Sequence, residues 1–134
     1  MTIKDAIYAR LASWSGLTAL VGTRIYPTQA DQRAPRPYVT FFEIKADGPV
    51  HVMAALPTLD STLIQFDAWG ETQEATMEIS EQIVAAMRGF TGHMGATDGP
   101  YVSSCLDKAS WDLFEGDSKT YHRAVEFNIY HDAV

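Results

Sequence analysis

Four histidines, one cysteine and seventeen acids are the residues through which this 134-residue chain could do chemistry. The best-spaced pair is His122 with Glu126, but four residues along a strand span roughly 13 Å, too far to share a metal ion. A single histidine on a solvated strand face accounts for His122 more simply. Cys105 lies in a strand-like stretch with no basic neighbour in sequence, so it reads as a small buried hydrophobe, not a nucleophile. No phosphate-cradling glycine loop, nucleophile elbow or paired zinc-ligand spacing occurs anywhere in the chain. No catalytic, cofactor or metal site is therefore expected.

The acids suggest recognition instead. Glu71, Glu74, Glu78 and Glu81 recur along one helical stretch that ends near Arg88, an order that complements the helix macrodipole. With no lysine one turn away, the same strip can dock a basic partner surface. Met77 and Val84 add a second, weaker apolar line there, read either as scattered exposed residues or as a contact between subunits. Glu43, Asp67 and Glu126 are each plain solvated positions on strands, and adjacent in space they would make one sheet face negative.

The stretch STLIQFDAWGETQEATMEISEQIVAAMRGF, residues 61–90, positions these groups. From 62 to 69 the chain alternates, with Ile64, Phe66 and Ala68 on one side and Leu63, Gln65, Asp67 and Trp69 on the other, which is a half-buried strand. Gly70 breaks it, Thr72 caps a helix, and Ala75, Ile79, Ile83, Ala86, Met87 and Phe90 recur at helical spacing. Gly89 is placed for the left-handed conformation that ends helices, with Phe90 folding back beyond it.

Upstream, Thr2 and Asp5 have the shape of a capping box, and Ile3, Ile7, Leu11 and Trp14 predict a first helix ending near Ser15 and Gly16. Residues 22–37, GTRIYPTQADQRAPRP, read as a loop with at most a short RIY element. Residues 38–45 predict a strand. Residues 46–60, ADGPVHVMAALPTLD, are long for a hairpin connection and apolar for a loop, with Val50, Val52, Met53, Leu56 and Leu59. An arm of that composition makes physical sense if a partner covers it. A polar, Gly-rich turn, GFTGHMGATDGP, follows the second helix. Two strands, 101–111 and 121–131, close the chain, with Gly116 and Asp117 supplying turn chemistry. The expected fold is α+β: an antiparallel sheet of about four strands with two helices packed on one face and a long β-hairpin arm.

Length suits one domain over residues 1–134, and a hydrophobic fraction of 46% with 20% charged residues is that of an ordinary globular protein. No stretch approaches the ~20 apolar residues of a membrane span, and the N-terminal segment lacks a signal-like apolar run. A single cysteine fits a reducing cytosol. The net charge of −7 is uneven, with residues 1–50 carrying +2 and the remainder −9. Such a balance argues against a surface built to grip phosphate, and suits one that DNA passes without sticking.

The order of elements, together with GTRIYP near residue 25, PYVTF after the proline-rich loop, IQFDAWG entering the second helix and YHRAVEFNIYH near the end, resembles the tail completion or tail terminator (tail-to-head joining) proteins of long-tailed bacteriophages. The resemblance covers essentially the whole chain. It implies a virion tail protein, made in the host cytoplasm, that assembles with itself as a ring, commonly a hexamer. The ring would end tail-tube polymerisation, meeting tail tube protein on one side and a head-side connector or stopper protein on the other, with DNA passing through unbound. It implies no catalytic residue, no cofactor and no membrane. The arm, with Asp47, Val50, His51, Val52, Met53, Leu56 and Leu59, matches the extended loop used in ring or tube contacts. Glu74, Met77, Glu78, Glu81 and Val84 are helix interface positions, and Glu43, Asp67 and Glu126 a lumen face. Two other readings stand beside this one. One is a small α+β module binding an apolar ligand between sheet and helices; the other, a hydrolase or isomerase, lacks a nameable acid, base and nucleophile.

Overall fold

The computed structural model describes the chain except residues 31–33, 53–55, 117 and 133–134, and gives backbone alone at 47–52 and 56–58. The chain opens with α1 (Ile3–Ala12), held by the capping box its sequence predicts. The Thr2 hydroxyl accepts from the Asp5 amide at 3.1 Å while the Asp5 carboxylate accepts from the Thr2 amide at 3.0 Å. The bond from the Thr2 amide first, and then one that the Thr2 hydroxyl donates to the same carboxylate at 2.9 Å, hold the Asp5 carboxyl below its ordinary value.

The first helix does not run on to Ser15. Ser13 caps it, and Trp14, extended at φ −87° and ψ 103°, starts a separate helix, α2 (Ser15–Val21). The break is anchored from outside: the Trp14 indole N–H donates to Gln82 Oε1 at 3.1 Å. A Cβ on Gly16 would fall 2.1 Å from that same oxygen, so a side chain there would push the Gln82 amide off Trp14.

After β1 (Ile25–Pro27) come β2 (Tyr38–Val52) and β3 (Leu56–Gly70), then α3 (Gln73–Met87), β4 (Gly92–His93), β5 (Tyr101–Glu115) and β6 (Thr120–Asp132). One sheet holds all six strands in the order β1-β2-β3-β6-β5-β4. Only β1 runs parallel to its neighbour, β2; every other pair is antiparallel. The α+β class and the helical layer agree with the sequence, but the described residues form six strands where about four are expected and three helices where two are. Both surplus strands are short edge pieces. Residues 46–60, the expected hairpin arm, are strand at every described position, so the two flanking strands run on through it.

As expected, α3 starts on Thr72, whose hydroxyl accepts from the Ala75 amide at 3.1 Å, and gives way to Gly89 at φ +74°. Its buried residues, Ile79, Ile83, Ala86 and Met87, meet Ile64, Phe66 and Ala68 of β3 and Val125, Phe127 and Ile129 of β6 in one core. The Gly-rich turn is more ordered than its composition suggests. Gly92–His93 pairs with Tyr101–Val102, and Met94 is fully buried in the core. Gly99 packs so tightly that a Cβ would lie 2.0 Å from the Met94 carbonyl oxygen. Among the described residues, no helix is long and apolar enough to cross a membrane.

Candidate assembly interface

Because side chains alternate along strands, the sheet has a helix face and an open face. The helix face carries the core. On the open face, Asp67 and His122 sit on adjacent strands, β3 and β6, and His122 Nε2 lies 2.7 Å from Asp67 Oδ1. Gln65 Nε2 donates to the same oxygen at 2.8 Å. The Trp69 indole stacks on the His122 ring at 3.9 Å and 12°, and donates to the Thr40 hydroxyl at 3.0 Å. Tyr38 stacks on Trp69 and Tyr26 meets Tyr38 edge-on, both at 5.9 Å between ring centres, so an aromatic row crosses β1, β2, β3 and β6. Burial in that row pushes the Tyr38 phenol up.

These contacts correct two expectations. His122 is not a solvated surface histidine, being 8% exposed, and Asp67 is 3% exposed. Nor do Glu43, Asp67 and Glu126 form one acidic field. Glu43 registers with Ile64, whose side chain is core, so alternation puts Glu43 on the helix face. Glu126 registers with Gln65, and it alone of the three is an open-face acid with some exposure.

Cys105 is fully buried, and burial pushes its thiol up to about 12. It pairs with Ile129 on the helix face, and the seven residues from there back to His122 span roughly 23 Å. His93 is engaged elsewhere, its Nδ1 2.8 Å from the Gly99 carbonyl oxygen. The juxtaposition of an exposed Cys105 with His122 or His93 that a hydrolase reading requires is therefore not found. Among the described residues, no three His, Cys, Asp or Glu side chains are grouped as metal ligands. The space between sheet and helices, where an apolar ligand would sit, is filled by Phe41, Phe66, Phe127, Met87 and Met94, each at most 1% exposed.

The helix candidates divide. Met77, Glu81 and Val84 line a groove of about 450 Å³ between α3 and the strands β5 and β6. Glu74 and Glu78 are exposed on the same helix but outside the groove. Arg88, Asp107, Ser110 and Arg123 also line the groove. Arg88 grips Asp107 with two bonds of 2.8 and 2.7 Å, and Arg123 binds Asp112 at 2.8 Å while also donating to Ser80 and Ser110. The hydrogen bond from Arg88 is the main reason the Asp107 carboxyl lies below its ordinary value. Neither the groove nor the aromatic row is readable from one strand's sequence, since each is assembled from neighbours far apart in the chain.

The arm is a continuation of the hairpin. Asp47 registers with Ser61, Val50 with Leu59, His51 with Pro57 and Val52 with Leu56. Leu59 also pairs with Asp132 of β6, so it belongs to the sheet proper and is half-buried. Past that point, among the described residues, β2 and β3 pair only with each other. Met53 lies outside the described residues, as do the side chains of Asp47, Val50, His51, Val52 and Leu56.

This layout of open sheet, helical layer and projecting hairpin has a counterpart in sequence. A family model described as tail completion protein gp17 matches residues 5–132. The chain belongs to the tail completion protein family. It is thus a structural protein of a phage-type tail. No curated protein matches the chain. Among solved structures, a chain from the virion of a native gene transfer agent particle superposes with a TM-score of 0.73 at 13% identity, over 98% of this chain and 95% of that one. At that identity the likeness speaks for the fold of this tail completion protein.

Proposed function

We propose that this tail completion protein assembles with itself as a ring at the head-proximal end of a phage tail tube, six copies being the number the family implies. The ring ends tube polymerisation and offers its other side to a head-side connector or stopper protein, and DNA slides through without being held. The arm carries this reading. Beyond Leu59 it is a two-stranded ribbon among the described residues, and such ribbons are marginal in water by themselves. Its sequence is also apolar at Val50, Val52, Met53 and Leu56, surface that is costly to leave wet unless a neighbouring molecule shelters it. The groove beside α3, with Met77, Val84 and the acid Glu81, is a second contact surface.

The chain's net charge of −7 suits a channel wall that phosphate does not grip. The lumen lining is not a Glu43, Asp67 and Glu126 cluster, because those residues do not converge. The test is to mix the purified protein with tail tubes, measure tube length by electron microscopy and size the free protein by light scattering. Capped ends and shortened tubes are expected. A protein that remains monomeric in every mixture and leaves tube growth unchanged would overturn the proposal.

A further inference from the structure

We propose that neighbouring copies join strand to strand, the outer edge of β5 in one copy pairing antiparallel with the outer edge of β2 in the next. This rests on the ring reading above and specifies how the ring closes. Both edges are bare over long runs. On β2, β1 pairs only with Val39–Phe41, and from Phe42 onward no described strand lies outside it. On β5, β4 pairs only with Tyr101 and Val102, the Gly89 amide takes the Cys105 carbonyl at 2.7 Å, and from Leu106 to Glu115 no described strand follows. Unpaired edges of such length present rows of backbone donors and acceptors, and proteins that do not use them blunt them with charge, proline or brevity.

The β5 edge is blunted at one point, the bulge between Asp107 and Ala109 whose extra residue is Lys108. Its acids Asp107 and Asp112 are bound to Arg88 and Arg123 on the helix face. Its open face instead shows Leu106 at 56% and Leu113 at 48% exposure, registered with Asn128 and His122. The β2 edge answers with Phe42, registered with Gln65 on that same face, and with Ile44, 40% exposed. At the level of Phe42 and Ile44 the β5 edge presents Ala109 and Leu106, so edge pairing would bring Leu106 beside Phe42 and Ile44, while Leu113 lies level with Tyr38, next to the stretch that β1 covers.

Polarity fits as well. From β2 through β3 and β6 to β5 the strand direction reverses three times, so β2 and β5 of one copy are antiparallel. A second copy turned about an axis along the strands therefore presents its β2 antiparallel to the first copy's β5. The two edges are different surfaces, so the contact is head-to-tail and repeats until it closes. Closure leaves no edge exposed, and each copy gives its four long strands to a common cylinder.

Amide hydrogen exchange on the isolated protein and on assembled rings tests this independently of the exact register. Outward amides within 42–46 and 106–109 should slow at least tenfold on assembly. The variant Leu106→Lys should raise the concentration for half-assembly at least tenfold, with an unchanged circular dichroism spectrum and urea midpoint. Rings that form while both edges exchange as in the isolated protein, or a dimer protected at β5 alone, would overturn the edge pairing and leave the tail role standing. Absence of rings under every condition would remove both.

Discussion

Asp67 accepts two hydrogen bonds on its Oδ1, from Gln65 and from the His122 ring, and it does so almost out of contact with water. With the carboxylate as acceptor, His122 Nε2 carries the proton, and the Trp69 indole lies flat on that ring. Replacing Asp67 by Ala leaves a buried ring nitrogen without its partner, so a loss of about 1–3 kcal/mol is expected in urea denaturation. A Trp69→Ala change alone should strip the cover from the pair and be comparably harmful. Cys105 gives a second residue-scale prediction. Its thiol is buried and pushed up to about 12, so it stays protonated at pH 8 and should resist maleimide in native buffer while reacting fully in denaturant. Rapid native labelling would mean that β5 opens locally. Cysteine burial was legible in the sequence, because a lone thiol among alternating strand residues has few other fates. The fate of His122 was not, since alternation along β6 says which side it faces but nothing about the tryptophan arriving from β3.

The elements were legible where local chemistry decides them. The switch of hydrophobic period around Gly70, the Thr72 cap and the left-handed Gly89 all fix α3 within its own sequence, and Thr72→Ala should cost about 1 kcal/mol. Ile83 is buried in the centre of that helix's stripe, so Ile83→Ala should cost about 2–5 kcal/mol by urea denaturation. The ends of strands were harder. Apolar arm residues continue as strand because a partner strand runs beside them, a fact of register that composition cannot show. The division of α1 from α2 likewise depends on Gln82 reaching Trp14 across 68 residues. On α3's outer side the Arg88 and Asp107 pair makes a pH prediction. Asp107 has a folded value below its ordinary one, so its contribution is fully present above about pH 4 and fades as acid protonates the folded carboxylate. Comparing wild type with Asp107→Asn, the stability difference should shrink as pH falls toward 2. Both side chains are substantially exposed, so the difference should be small and weaken further in salt.

For the whole molecule, fold and assembly separate. The core draws on all three helices and on strands β1, β2, β3, β5 and β6, whereas beyond Leu59 the arm's two strands run past the last residue that pairs with β6. Replacing Val50, Val52 and Met53 together by polar residues should therefore leave the urea midpoint unchanged while reducing ring formation and tube capping. If that variant unfolds instead, the arm belongs to the core. The sequence conveyed the class and the helical layer because periodicity reports which side of an element is dry. It could not convey the sheet order or the bare edges, which depend on how distant strands are laid side by side.

Gly70 registers with Tyr121, beside the turn between β5 and β6, whereas Leu59 registers with Asp132, beside the arm. The two hairpins therefore leave the sheet in opposite directions along its strands. Rotation about an axis preserves the sense of every vector component along it. Any closed circle of these molecules not lying with its strands flat in the plane is a washer with unlike sides, all arms on one rim and all short turns on the other. Such a washer offers a different surface at each end of its axis, which suits it to hold two different neighbours apart.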